Sequence, residues 1–334
     1  MRSGRSGING QNISGGACRG AAGVRARSSA RLQRFRPRFY RARMNRLLAP
    51  LLLVVASSLL ALVRAQEKPR PAITHEEIPA PAAAGALGAN LFRAPDGRVW
   101  LSWVEPAAPG KLALRCATLD AAAKKWSAPR TISTEPTLTA SQGDFPQFAI
   151  NAAGRAWAIW TDGKGGARVT ESRDGGATWS ASAAFAPPGI GVEKFSLAVL
   201  DDGRVLAAWL DDRAKKSGGK MSALYARVLG SDAPDQLVDD AVCDCCQTEL
   251  TAFLDGGALV AYRARTVDEV RDIRTARLRG NIWEAPRTLH PDNWKIAGCP
   301  MNAARLASEG GRVAAAWFTA ADGDARVLAS LSPD

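Results

Sequence analysis

GRVWLSW stands at residues 97–103, and the chain repeats it: GRAWAIW at 154–160, GRVLAAW at 203–209, GGALVAY at 256–262 and GRVAAAW at 311–317. In each copy a glycine precedes an aromatic by six residues with a mostly apolar run between, and successive glycines lie 57, 49, 53 and 55 residues apart. A short run that is apolar on both faces suits a strand sandwiched between neighbouring sheets, and the glycine marks the turn leading into it. An earlier apolar segment comes before the turn, as at residues 145–150 or 250–254, and further strands follow, as at 111–118 or 224–229. Each unit is thus read as four strands. Four-stranded sheets repeated radially leave no long exposed edge, so the period predicts an all-β fold, a β-propeller of four-stranded blades. A solenoid also repeats, but its units usually run about 20 to 45 residues and carry fewer aromatics.

The units close on a shared phrase: WSAPRTI at 126–132 returns as WEAPRTL at 283–289, with WSA at 179–181 as a shorter echo. Within the second unit, Ser172-Arg173-Asp174-Gly175-Gly176-Ala177-Thr178-Trp179 fits the pattern S-x-D-x-G-x-T-W at every defined position. In such a turn the Ser and Asp side chains bond nearby backbone N–H groups, glycine takes the conformation other residues avoid, and Trp packs beneath. The stretch resembles the Asp-box of the sialidase-like (neuraminidase, BNR-repeat) superfamily, and the resemblance covers residues 86–334 as repeats with one full Asp-box. It implies a propeller, mostly of six blades, in which Ser172, Asp174, Gly176, Thr178 and Trp179 are structural. Five units are present, and Ser332-Pro333-Asp334 after the strand at 326–329 reads as the opening of another Asp-box. The expectation is a six-bladed ring with about five blades in this chain.

A formal charge of +12 would suggest nucleic acid or an anionic membrane if it sat on the repeats. Residues 1–65 carry 13 arginines and no Asp, Glu or Lys, which leaves 31 basic against 32 acidic residues from Gln66 onward. The repeats are close to neutral, so nucleic acid is set aside as a partner. Met44-Asn45-Arg46, an apolar run at 47–63 and Val63-Arg64-Ala65 have the charged start, apolar middle and small-residue end of a secretory signal. The expected organisation is an Arg-rich extension outside the fold at 1–43, a signal peptide at 44–65, a linker or tail at 66–85 and the propeller at 86–334. The mature protein is then exported, periplasmic or secreted, with no membrane span after cleavage. The alternative is a retained anchor, for which about 17 apolar residues is the short limit.

In propellers of this kind the loops leading into each innermost strand and the loops after each second strand share one face. Ten residues before the repeat glycines stand Leu87, Asp144, Glu193, Cys246 and Met301; after the aromatics come Asp162, Asp211-Asp212-Arg213, Arg263 with Arg265, and Thr319. The candidate ligand-binding residues are Asp144, Glu193, Asp162, Asp212, Arg213, Arg263, Arg265 and Arg271. Arginine forks grip carboxylates and acidic side chains bond sugar hydroxyls, which points to a sugar or carboxylate ligand at the channel mouth. The plainer reading makes Asp162, Asp212 and Arg213 turn residues that pair across adjacent blades.

The resemblance implies, for a hydrolase, three arginines, a Tyr nucleophile assisted by Glu, and an Asp acid/base. Phe92-Arg93-Ala94-Pro95 looks like the family's leading arginine phrase but stands directly before the Asp96-Gly97 turn, out of register. After the signal only Tyr225 and Tyr262 remain, the second in the packing position that Trp fills elsewhere. Two functions follow: non-catalytic binding of a glycan, protein or cell-surface ligand, or exo-sialidase-type glycoside hydrolysis with the nucleophile in a last blade. No release of sialic acid is expected from this chain. His75 and His290 are the only histidines and no phosphate-binding glycine loop or haem phrase is present, so no cofactor is expected.

Val242-Cys243-Asp244-Cys245-Cys246-Gln247-Thr248, a later Arg271-Asp272-Ile273 and Gly298-Cys299-Pro300-Met301-Asn302 are similar to an exported bacterial subgroup of sialidase-like proteins with CxCC and CPxN phrases. The spacing puts Cys299 and the triplet at the start of consecutive blades. A disulfide from Cys299 to one of Cys243, Cys245 or Cys246 is expected, with Cys243 and Cys246 ranked ahead of Cys245. A soft-metal site such as Cu(I) and a reactive thiol stay open. Cys116 shares a strand face with Leu112 and Leu114 and reads as an apolar filler.

Overall fold

The structure, a computed structural model, describes residues 74–135, 137–141 and 143–332. The Arg-rich extension, the signal and its cleavage after Ala65, and Pro333-Asp334 lie outside the described residues.

Five antiparallel sheets follow one another along the chain. The first holds β1 (Leu87–Arg93), β2 (Val99–Ala108), β3 (Lys111–Asp120), β4 (Lys125–Trp126) and β5 (Arg130–Glu135). The second holds β6 (Gln147–Ile150), β7 (Ala156–Thr161), β8 (Ala167–Ser172) and β9 (Ala183–Ala184), and the third β10 (Val192–Val199), β11 (Val205–Asp211), β12 (Ser222–Val228) and β13 (Gln236–Val242). The fourth holds β14 (Glu249–Ala252), β15 (Ala258–Arg263), β16 (Ile273–Arg279), β17 (Ile282–Trp283) and β18 (Arg287–Thr288). The fifth holds β19 (Arg305–Glu309), β20 (Arg312–Thr319) and β21 (Arg326–Ser332). First strands pack one on the next, β1 on β6, β6 on β10, β10 on β14 and β14 on β19. The protein is an all-β propeller.

The repeated run is β2, β7, β11, β15 and β20, and its two-faced apolarity is used as the pattern requires. Along β7, Ala156, Ala158 and Trp160 join the core shared with the first sheet, while Trp157 and Ile159 join the core shared with the third. Along β11, Val205, Ala207 and Trp209 face the second sheet and Leu206, Ala208 and Leu210 face the fourth. Alternation on a strand with period two delivers the two faces to two interfaces. The repeat aromatics Trp103, Trp160, Trp209, Tyr262 and Trp317 are at most 4% exposed.

Each repeat glycine sits at φ between 77° and 83°, a region closed to other residues without strain. In the first four sheets it is the bulge residue of a tight hairpin: Gly97 N–H donates to Ala94 C=O at 2.9 Å, and Gly203 N–H to Leu200 C=O at 2.9 Å. The fifth differs, since Glu309 pairs directly with Arg312 across Gly310-Gly311. Polar ties ring the inner strands: Ser196 and Thr248 hydroxyls lie 2.8 Å apart, and Thr251 and Ser308 hydroxyls 2.6 Å apart.

The four-strand expectation holds as stated in the second and third sheets, and the fifth shows three strands among the described residues. In the first and fourth sheets the outer strand is broken in two, β4 with β5 and β17 with β18, and both pieces pair with the third strand. The break falls on the Ala-Pro of the WSAPRTI and WEAPRTL phrases, where proline has no N–H for the ladder. Residues read as tail also bind the first sheet: Ala83 N–H donates to Glu105 Oε2 at 2.9 Å, and Glu76 pairs with Lys124.

Candidate functional site

A cleft of about 390 Å³ opens between the second and third sheets. Its walls include Thr139 and Asp144 from the approach to β6, Thr161 at the end of β7, Gly191 and Glu193 at the start of β10, Asp212 after β11, and Lys215. Lys215 stands on α1 (Arg213–Lys216), a single helical turn. A larger hollow of about 670 Å³ lies against the β2–β3 hairpin around Pro106 to Leu112, with Lys111 as its one charged side chain. Of the two, the first cleft is the one that gathers carboxylates.

Asp144 is half-buried and accepts a hydrogen bond at Oδ2 from the Thr161 hydroxyl at 3.0 Å. Glu193 lies at a register shift in the β10–β11 pairing. Burial pushes its carboxyl up, Lys194 opposes the rise, and the charges of Asp144 and Asp244 add to it. Lys194 is buried at φ 57°, its Nζ 3.3 Å from Glu193 Oε2. A lysine in left-handed backbone is strained, and here the bulge that turns Glu193 towards the cleft holds it there. Asp212 accepts from Gly191 N–H at 2.6 Å and pairs with Lys216 at 2.9 Å. A Cβ on Gly191 would stand 2.6 Å from Asp212 Oδ2, so only glycine admits this approach. Lys215 Nζ lies 2.8 Å from Asp244 Oδ2, which joins the cleft to the cysteine turn.

The structure places the other sequence candidates elsewhere. Asp162 Oδ1 accepts from Lys164 N–H at 2.9 Å and Gly166 N–H at 3.0 Å, the work of a turn residue. Arg213 pairs with Asp211 at 2.6 Å and Asp235 at 2.7 Å and lies over the Tyr225 ring, 4.1 Å from its centroid. Arg263 is 1% exposed and donates to the carbonyls of Arg271, Phe318 and Asn302 at 2.6, 2.9 and 3.0 Å, a strut between the fourth and fifth sheets. Arg265 and Arg271 both grip Glu269, at 2.6 and 2.7 Å. Acidic residues thus meet at the cleft, while these arginines are engaged by Asp211, Asp235, Glu269 and main-chain carbonyls. Arg93 is exposed at the end of β1 and pairs with Val99 across the hairpin.

Of the two tyrosines of the described residues, Tyr262 is buried and Tyr225 half-buried. Tyr262 donates to Asp239 Oδ2 at 2.6 Å, and burial pushes its phenol far up. Tyr225 is stacked on Trp209, centroids 6.3 Å apart, under Arg213.

The disulfide joins Cys245 to Cys299, with Cα atoms 6.0 Å apart. The ranking of Cys243 and Cys246 as partners is thus corrected. These two are buried at 1% exposure, whereas Cys245 stands at the half-buried turn facing exposed Cys299. The Sγ atoms of Cys243, Cys245 and Cys246 lie within 4.8 Å of one another. With Cys245 bonded to Cys299, Cys243 and Cys246 are the two sulfurs of this group left free for a soft cation. Cys116 is fully buried, and burial pushes its thiol up to about 12.

Of the residues at or beside the cleft, sequence spacing named Asp144, Glu193 and Asp212 and did not name Thr161, Lys194, Lys215 or Gly191. Gly191, just ahead of the β10 strand, was the one visible signal; the lysines carry no pattern of their own.

No protein-family model matches the sequence, and comparison with curated proteins finds no match. Among solved structures the chain is similar to a Dyadobacter fermentans protein of unknown function, at 15% identity and TM-score 0.48, over 74% of this chain and 76% of that one. It is also similar to the Penicillium chrysogenum α-L-arabinanase solved with arabinobiose, at 13% identity and TM-score 0.45, over 72% and 75%. A Hadza microbial sialidase aligns at 16% identity and TM-score 0.44, over 74% of this chain and 52% of that one.

Proposed function

We propose that the protein is a non-catalytic binding propeller whose cleft between the second and third sheets takes a neutral sugar unit of a glycan. The observation that carries this reading is the gathering of Asp144 before β6, Glu193 at the start of β10 and Asp212 after β11 around one cleft, while Arg213, Arg263, Arg265 and Arg271 are engaged by partners of the chain itself. Carboxylates accept hydrogen bonds from sugar hydroxyls and repel an acidic sugar, so neutral glycans fit and sialosides do not. Glycan-array screening followed by calorimetry tests it. A neutral glycan should bind, and Asp144→Asn with Glu193→Gln should weaken it at least about tenfold, roughly 1.4 kcal/mol. Binding that survives both changes, or a preference for sialosides, overturns the reading.

A second reading, glycoside hydrolysis, has one observation in its favour: Glu193 has a raised carboxyl near the charge of Asp144, the kind of pair that divides acid and base roles. Sialidase-type chemistry finds no free tyrosine among the described residues, because Tyr262 is buried on Asp239 and Tyr225 is stacked between Trp209 and Arg213. Fluorogenic glycosides discriminate the two readings: turnover abolished by Glu193→Gln would establish the enzyme, and no release from a sialoside is expected.

A further inference from the structure

Two free thiols and one disulfide meet at the turn between the third and fourth sheets, in a part of the molecule that the sugar cleft does not use. Cys243 Sγ lies 3.3 Å from Cys245 Sγ, which is bonded to Cys299, and 3.9 Å from Cys246 Sγ. The Arg271 guanidinium approaches the Cys243 sulfur at 3.1 Å, held in place by Glu269 at 2.7 Å. Glu269 itself sits at φ 62°, so the Arg265-Glu269-Arg271 group is fixed by a strained turn. A purely structural bridge needs neither a guanidinium on a neighbouring free thiol nor a second thiol behind it.

We propose that this cluster is a thiol–disulfide exchange site, in which Cys243 attacks Cys245 and moves the free thiol from the protein interior to Cys299 at the surface. The step balances within the chain. The Cys243 thiolate forms a bond to Cys245 Sγ, the Cys245–Cys299 bond breaks, and Cys299 leaves as a thiolate that takes a proton from water; no net oxidation occurs. Proximity supplies the reaction, since nucleophile and target sulfur are held near contact distance. The Cys246 thiol, donating to Cys243, holds its ionisation below the ordinary thiol range against burial, with the Cys245 N–H and Arg271 adding to the effect. Cys246 is correspondingly pushed up and stays the protonated donor. Exposure is graded along the relay: Cys243 is buried, Cys245 half-buried and Cys299 exposed. The released Cys299 thiol is where a disulfide or soft electrophile of a second molecule would react.

The test uses the folded full chain without reductant. Iodoacetamide is added under native conditions, heavy-isotope iodoacetamide then blocks the remaining thiols after denaturation, and N-ethylmaleimide marks the cysteines released by final reduction. Fragment-ion mass spectrometry assigns each label. Light label should accumulate on Cys299 with time while N-ethylmaleimide is found on Cys243 and Cys245, because alkylation traps the exchanged form. Cys116, buried and with a raised thiol, must stay free of light label and so reports that the protein remained folded. In Cys243→Ser the Cys299 label should fall at least tenfold. Should that variant not fold, Arg271→Gln serves instead: labelling slows several-fold at neutral pH and recovers in alkali, where the thiol ionises unaided. A wild-type Cys299 that takes no light label overturns the proposal, as does equal labelling in a folded Cys243→Ser protein. Native mass spectrometry that finds copper or zinc on the triplet overturns it too.

Discussion

Asp174 closes the turn after β8 by accepting from the Thr178 hydroxyl at 2.5 Å, the Thr178 and Ala177 N–H groups at 2.9 and 3.1 Å, and the Ser172 hydroxyl at 2.8 Å. The Ser172 hydroxyl in turn accepts from Gly176 N–H at 2.9 Å, and Trp179 packs beneath on Phe148, centroids 6.2 Å apart. Bonded foremost by Thr178, the carboxyl falls from 3.8 to about 2. A carboxylate lowered in the folded state stabilises the fold above its unfolded value and loses that contribution as pH falls through its folded value. The window for Asp174 therefore runs from about 4 down to about 2. Acid unfolding followed by fluorescence should show Asp174→Asn less stable than wild type at neutral pH, with the difference shrinking across that window. A difference independent of pH would remove the carboxylate's charge from the account.

At the scale of the element, the hairpin before each repeated strand is the unit that the sequence copies. Gly203 has φ 81°, and a Cβ added there would meet nothing nearer than Asn151 Nδ2 at 3.7 Å, so alanine at this position faces backbone strain and no clash. Gly203→Ala should cost about 1–2 kcal/mol. Thermal melts should record a loss of a few degrees, and Gly298→Ala, which lacks a positive φ and meets only Ile296 at 3.7 Å, should leave Tm unchanged. Equal Tm values for both variants would refute the role given to the left-handed turn. The broken outer strands belong to this scale as well. Their Ala-Pro interruption was in the sequence as a repeated phrase, but nothing short of the pairing of β4 and β5 with β3 shows that one strand had become two.

For the whole molecule, Cys245–Cys299 ties the start of the fourth sheet to the approach to the fifth across a separation of 54 residues. Closing a loop of that length restricts the unfolded chain by about 4 kcal/mol in the chain-entropy view. Cys299→Ser should therefore move the urea midpoint down by an amount matching roughly that loss, with the slope of the transition little changed. A midpoint within error of wild type would show that sheet packing alone carries the junction. Among the described residues no helix is long and apolar enough to cross a membrane.

The sequence by itself determined the sheets, their order and the strands with two apolar faces, because a propeller is built from local hairpins whose turn glycine and buried aromatic recur at a fixed spacing. It also named Asp144, Glu193 and Asp212, which stand at fixed distances from that spacing. Tertiary structure decided the rest. Which of three clustered cysteines meets Cys299 depends on the direction each side chain leaves a tight turn, and a shift of one residue exchanges a buried sulfur for a facing one. Arginine partners were equally out of reach, since a long flexible side chain chooses among every acceptor within its sphere. Arg263 chose carbonyls of two sheets, Arg213 chose Asp211 and Asp235, and Arg271 chose Glu269 and a cysteine sulfur.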